Sequence, residues 1–201
     1  MITTLGSRAL RATITASIFG IAALPMVASA ATSSANTTIT ANVGAAISIT
    51  TNSPVSFALT PTSGGVVSSS SDTVTVNTNN ATGYTLTLED ADASTTLTSG
   101  GNNFTAHSGT FASPTALSSG TWGYALASAG GFDASYSTET SNGSSTSKWA
   151  GVPASGSAVT IKTAGTSATN DTTTVWWAAK ADNTQPNGVY TDTVTYTATT
   201  N

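Results

Sequence analysis

Apolar residues recur at every second position over short stretches of this chain, and that alternation constrains the fold more than any other feature. Successive side chains of a strand point to opposite faces, so a period of two marks a ribbon with one buried and one polar face. Ile39, Ala41 and Val43 alternate within Thr37–Val43, Ile47 and Ile49 follow, and Val55, Phe57 and Leu59 continue between Pro54 and Pro61. Val74 and Val76 alternate within Asp72–Thr78, and Tyr84, Leu86 and Leu88 resume after Asn79-Asn80-Ala81-Thr82-Gly83. A turn of that composition between two alternating runs predicts a hairpin. Trp122, Tyr124 and Leu126 share a face, and Val159 and Ile161 mark a short strand. Thr172–Lys180 and Val189–Thr199 complete the series, the last with Tyr190, Val194, Tyr196 and Ala198 inward. No segment of helical period follows residue 31. About nine to eleven short, mostly antiparallel strands with frequent turns predict an all-β chain built as a β-sandwich.

Composition narrows where such a chain works. Residues 1–30 read as a signal helix removed on export: Arg8 and Arg11 precede an apolar stretch, Ala12 to Leu24, which is broken at Pro25 and followed by Ala28-Ser29-Ala30. The stretch is short of the roughly 20 residues of a membrane-spanning helix. Residues 31–201 are then one mature domain, secreted or held at the cell surface, with no membrane association after cleavage. Charged residues make up 7% of the chain, against roughly 25% in an average soluble domain, and Thr, Ser, Asn, Gly and Ala take their place. Beyond the leader only Lys148, Lys162 and Lys180 oppose nine acids, a net charge of −6 (3 − 9). Nucleic acid is excluded as a partner, because phosphate binding needs a basic stripe. The chain has no cysteine, so an exported fold must hold without disulfides. Residues 92–158 are looser and rich in Gly and Ser, yet they carry Phe104, Phe111, Phe132, Tyr136 and Trp149. Aromatic residues in such numbers predict loops that fold over the strands rather than linkers.

Three segments carry a resemblance. Thr38-Ile39-Thr40-Ala41-Asn42-Val43 leads to Ile47-Ser48-Ile49 and Phe57; Val74-Thr75-Val76 leads to Gly83-Tyr84-Thr85-Leu86-Thr87-Leu88; and Gly188-Val189-Tyr190-Thr191-Asp192-Thr193-Val194 opens the last strand. This order resembles the spore coat U-type pilin-like domains and the WxL-type wall-binding domains of bacterial surface proteins. The chain departs from the first in lacking cysteines and from the second in having Trp122-Gly123-Tyr124-Ala125-Leu126 in place of a Trp-x-Leu motif. The resemblance implies an immunoglobulin-like sandwich on the bacterial surface.

Residues able to do chemistry are scarce. His107 is the only histidine, in the loop-like run Thr105-Ala106-His107-Ser108-Gly109. It reads as an exposed loop residue, since triads and zinc sites need further partners. No Gly-x-Ser-x-Gly elbow or phosphate-binding glycine motif occurs. Glu89, Asp90 and Asp92 cluster at a strand end and are the candidate ligands for calcium, the one cofactor in view. Lys162 and Lys180 are candidates for an isopeptide cross-link, but alternation puts both on polar faces. Trp176 and Trp177 point to opposite faces, Trp177 inward with Val175 and Ala179, Trp176 outward. Trp176, with Trp149 and Tyr136, is the candidate binding surface, unless a loop covers it.

The expectation is a non-catalytic, structural or adhesive surface protein. It binds cell-wall polysaccharide or other surface proteins, or associates with itself through the N-terminal strand in Ala31–Val43. The alternative is a carbohydrate-binding module that uses an exposed Trp. A hydrolase is the third class, disfavoured by the scarcity of catalytic groups.

Overall fold

The computed structural model describes residues 30–201. The signal segment expected at 1–30 lies outside them except for its last residue. Residues 42–201 form one compact unit, and residues 30–41 belong to a separate one. In the latter the backbone forms no strand and every side chain is exposed. The described residues are all-β, with no helix.

Eleven strands run through the described residues: β1 (Ile47–Thr50), β2 (Val66–Thr78), β3 (Tyr84–Asp90), β4 (Leu97–Ser99), β5 (Asn102–Ala106), β6 (Thr115–Ala116), β7 (Thr121–Ala125), β8 (Lys148–Trp149), β9 (Val159–Ala164), β10 (Ala168–Ala181) and β11 (Val194–Thr200). They pair in the orders β1-β2-β10-β7-β5-β4, β11-β3-β9 and β6-β8. All ladders are antiparallel except β5 with β7. One hydrophobic cluster draws on both larger sheets: Val74, Val76, Val175 and Trp177 from the first, Leu86, Leu88 and Ile161 from the second. Trp122 stacks on Trp177 at 5.8 Å between ring centroids. Their burial is the main stabilising contribution, at roughly 25 cal/mol for each Å² of apolar surface removed from water.

The hairpin expected at residues 79–83 is absent. The segments before and after it, β2 and β3, lie in different sheets, so the turn carries the chain from one sheet to the other. The alternation is compatible with both outcomes, because it marks which face is buried and not which strand is the neighbour. Local chemistry shapes the crossing. Gly83 has φ +79°, and a Cβ there would overlap the Ala164 carbonyl oxygen. The Asn80 side chain donates to the carbonyls of Gly83 and Asn201 at 2.9 and 3.0 Å. Asn201 in turn donates to Thr82 and Ala164 at 2.9 Å each, so this turn, β9 and the last residue are tied together.

Two expected strands are not formed. Thr37–Val43 forms no strand pairing among the described residues, and Ile39 and Val43 are 87% and 86% exposed. Thr51–Thr60 keeps the expected alternation, with Val55, Phe57 and Leu59 half-buried between exposed neighbours, but it joins no ladder. Side chains hold it instead. Asp72 Oδ1 accepts from the Asn52 amide at 2.9 Å, Ser68 Oγ donates to the Ala58 carbonyl at 2.6 Å, and the Thr60 amide donates to Ser141 Oγ at 2.8 Å. The last strand also begins at Val194, later than the alternation from Val189 implies, and Val189 is exposed.

The middle loops cover the Trp176 face of the larger sheet and pair with the free edge of β2. Buried Ser68 and Ser69 project from β2 and bind the segment 137–142. Ser141 and Glu139 amides donate to Ser68 Oγ and Ser69 Oγ at 2.8 and 2.9 Å, and Ser69 Oγ donates to the Ser137 carbonyl at 3.1 Å. Val67 and Asn142 exchange a pair of backbone hydrogen bonds at 3.0 and 2.8 Å. Small hydroxyl side chains suit this edge, because they satisfy loop amides that the backbone pairing leaves over.

Candidate functional site

The most distinctive surface feature is a groove of about 560 Å³ at the edges of the two larger sheets. Ile49, Pro54, Val55 and Phe57 line one side and Asp192, Val194 and Tyr196 the other, with the nearly buried Trp122 and Trp177 at its base. Each wall is an incomplete ladder. β11 is paired only with β3, and β1 only with β2. The backbone of 51–59, which continues the β1 wall, has no backbone partner. An unpaired edge exposes N–H and C=O groups that template another strand. The apolar base between two such edges is therefore shaped for an extended segment carrying apolar side chains at alternate positions. Thr50, Ser53, Asp72, Thr193 and Thr195 add polar groups along its walls. The Tyr196 hydroxyl is buried without a hydrogen-bond partner, and burial, then the negative charge of nearby Asp72, push its pKa upward.

The residues expected to bind sugar are brought together, on the loop-covered face. The Tyr136 ring meets Trp149 edge-on at 5.1 Å and stacks near Trp176 at 6.5 Å with 29° between planes. Trp149 is fully buried, so it presents no face to solvent. Tyr136 donates its hydroxyl to the Lys148 carbonyl, and burial pushes its pKa up to about 12. Trp176 is half-buried beneath Tyr136. The loops rich in aromatic residues thus cover the outward-facing Trp.

The three acids at the end of β3 do not converge. Glu89 Oε2 accepts from the Gly156 amide at 2.7 Å, and Asp92 Oδ1 accepts from the Ser94 amide at 2.6 Å. Asp90 points to the opposite face of the strand from Glu89 and is buried at 1% exposure. Its neighbour is Asp192, which sequence reasoning did not connect with it. β11 pairs with β3 so that Val194 lies opposite Asp90, and Asp192 is two residues back along the same face. Burial, then the charges of Asp90 and Asp92, push the Asp192 pKa up to about 6, against the hydrogen bond it accepts from the Thr193 amide. Among the described residues no three His, Cys, Asp or Glu side chains group closely enough to hold a metal by themselves.

His107 is buried at 5% exposure, not displayed on a loop. Its Nε2 lies 2.8 Å from Thr115 Oγ1 and its Nδ1 3.4 Å from Thr121 Oγ1. Burial lowers its pKa, so the neutral ring is favoured. It joins the end of β5 to β6 and β7. Lys162 on β9 pairs with Asp171 on β10 at 2.5 Å, and the Tyr84 hydroxyl donates to the other carboxylate oxygen at 2.8 Å. This cluster spans the two larger sheets. Burial raises the Asp171 pKa, but the hydrogen bonds from Lys162 and Tyr84 outweigh it and hold the carboxylate below its usual range.

Comparison with protein-family models gives no match, and neither the curated proteins nor the solved structures give one.

Proposed function

We propose that this chain is a non-catalytic, exported subunit of the bacterial cell surface, an immunoglobulin-like sandwich that assembles by accepting an extended segment of a second copy into its groove. The donor is Ala31–Val43. The single observation that carries this reading is the groove itself, apolar at its base and flanked by unpaired backbone. The donor segment matches it in three ways. It has no ladder of its own, its Ile39, Ala41 and Val43 fall at alternate positions, and Thr37–Val43 equals β11 in length, at seven residues. Strand addition takes affinity from main-chain hydrogen bonds and specificity from alternate side chains. A surface with few charges suits it, since little charge need be desolvated as neighbours join.

The test is sedimentation of the purified protein over a range of concentrations. Size should grow with concentration, and the double substitution Ile39→Asp, Val43→Asp should abolish that growth. A strict monomer at high concentration refutes assembly. A second reading, a module that binds cell-wall polysaccharide, rests on the half-buried Trp176 stacked beside Tyr136. Co-sedimentation of a monomer with insoluble peptidoglycan, lost in Trp176→Ala, would favour it over assembly.

A further inference from the structure

We infer that Asp90 and Asp192 form the anionic half of a calcium site where β3 and β11 meet the turn at residues 91–94. Asp90 Oδ1 accepts from the Asp92 amide at 3.0 Å, and Asp192 Oδ1 accepts from the Thr193 amide at 2.8 Å. The second oxygen of each, Oδ2 in both, is removed from water and has no partner. The register of β11 against β3, with Val194 opposite Asp90, brings Asp192 to the same strand end as Asp90. Neither has a cationic side chain to neutralise it, since the one ion pair among the described residues is Lys162–Asp171. A buried carboxylate left without a hydrogen bond or counter-charge is strongly unfavourable, so such groups are paired, protonated or bound to a metal.

The donor set selects the cation. All the available ligands are oxygens, which favours a hard ion over zinc or copper. Two carboxylates match the charge of one divalent ion. The remaining positions fall to backbone carbonyls of the turn and to water, an irregular arrangement that calcium accepts and that magnesium, with its stricter octahedron, does not. Asp92 adds a third negative charge nearby. Glu89, although next in sequence to Asp90, takes no part, because it is engaged with Gly156 on the other side of the strand. Asp192 also lines the groove, but the site rests on the pair of orphan oxygens and is read by calcium binding rather than by assembly.

The experiment is thermal unfolding and titration calorimetry of the protein stripped of metal, with calcium or magnesium added to about 1 mM, the range of extracellular calcium modules. The expected result is one calcium bound per chain, a raised Tm, and a much smaller response to magnesium. Asp192→Asn, chosen because Asp192 is only half-buried and the variant should fold, should lower calcium affinity about tenfold or more. Glu89→Gln should leave it unchanged. No calcium response in the parent protein, with Asp192→Asn equally stabilising with and without the ion, would mean that the two carboxyls share a proton instead and would overturn the site. A calcium response that Asp192→Asn leaves intact would place the ion elsewhere and overturn it equally.

Discussion

Thr37–Val43 and Thr172–Lys180 draw on much the same residues, Thr with small, branched or aromatic apolar ones, yet they end in opposite situations. The second lies within β10, hydrogen-bonded to β2 on one side and β7 on the other, with Val175 and Ala178 fully buried. The first has no strand neighbour among the described residues, and its apolar side chains are exposed. The difference teaches that alternation specifies a strand's faces and leaves its edges open. Whether a ribbon becomes a strand depends on a partner elsewhere in the chain, or in another chain. Substitutions in the two kinds of region should therefore differ sharply in effect.

The largest effect belongs to the buried ladders. Leu86 on β3 is fully buried in the shared cluster, and Leu86→Ala should cost about 2–5 kcal/mol, the span for removing a buried Leu side chain. Chemical denaturation reads this directly. A loss below about 1 kcal/mol would mean that the two sheets do not share one core.

Next comes the edge of β2 paired with the loop. Ser68→Ala removes the acceptor of the Ser141 amide and the donor to the Ala58 carbonyl. Leaving those groups without partners should cost about 1–3 kcal/mol. The change should also speed proteolysis within residues 137–142 while leaving the Leu86 region protected. Equal loosening of both regions would show that the loop is not a separate layer.

These positions also show what sequence could and could not tell. β3 was legible because its alternation is strict, and β10 because its Thr, Val and Trp residues fit a pleated surface. The neighbours were not. Nothing in Asn79–Gly83 says that the next strand joins the other sheet, since a tight turn and a sheet-to-sheet crossing use the same residues. Asp90 was legible as an acid at a strand end, but its meeting with Asp192 depends on β11 pairing with β3. Trp149 was legible as a large aromatic and not as a buried one, because its cover comes from Tyr136, far along a loop without periodicity.

His107 gives a pH-dependent probe of the loop-covered part, with a sign set by burial. Its folded-state pKa lies below the ordinary value of 6.5. Between these two values the unfolded chain binds more protons than the folded one, so stability falls as pH drops below about 6.5 and levels off below the folded-state pKa. Asp192 acts in the opposite direction. Its raised pKa of about 6 means that its contribution is present below about 3.8 and is lost as pH rises through 6. Comparing the pH dependence of unfolding in the parent protein with His107→Gln isolates the first contribution. The difference between the two should change between pH 7.5 and 5 in the direction that relatively favours the variant in acid. A pH-independent difference would mean that the ring titrates alike in the folded and the unfolded chain.

The smallest effect on stability, and the sharpest form of the comparison, is at Ile39. An exposed apolar residue with no neighbours contributes little to the fold that carries it, so Ile39→Asp should change the stability of dilute protein by no more than about 0.5 kcal/mol. In the region of Val175 the same chemical change would bury a charge and unfold the chain. If Ala31–Val43 serves a second copy, the alternation there is maintained for an interface formed only on assembly. The neutral effect on the isolated chain and the loss of assembly should then appear in one variant. Denaturation at low concentration and sedimentation at high concentration measure the two sides. A large loss of stability in dilute protein would show instead that the segment closes the groove of its own chain, and the contrast between the two ribbons would vanish in solution.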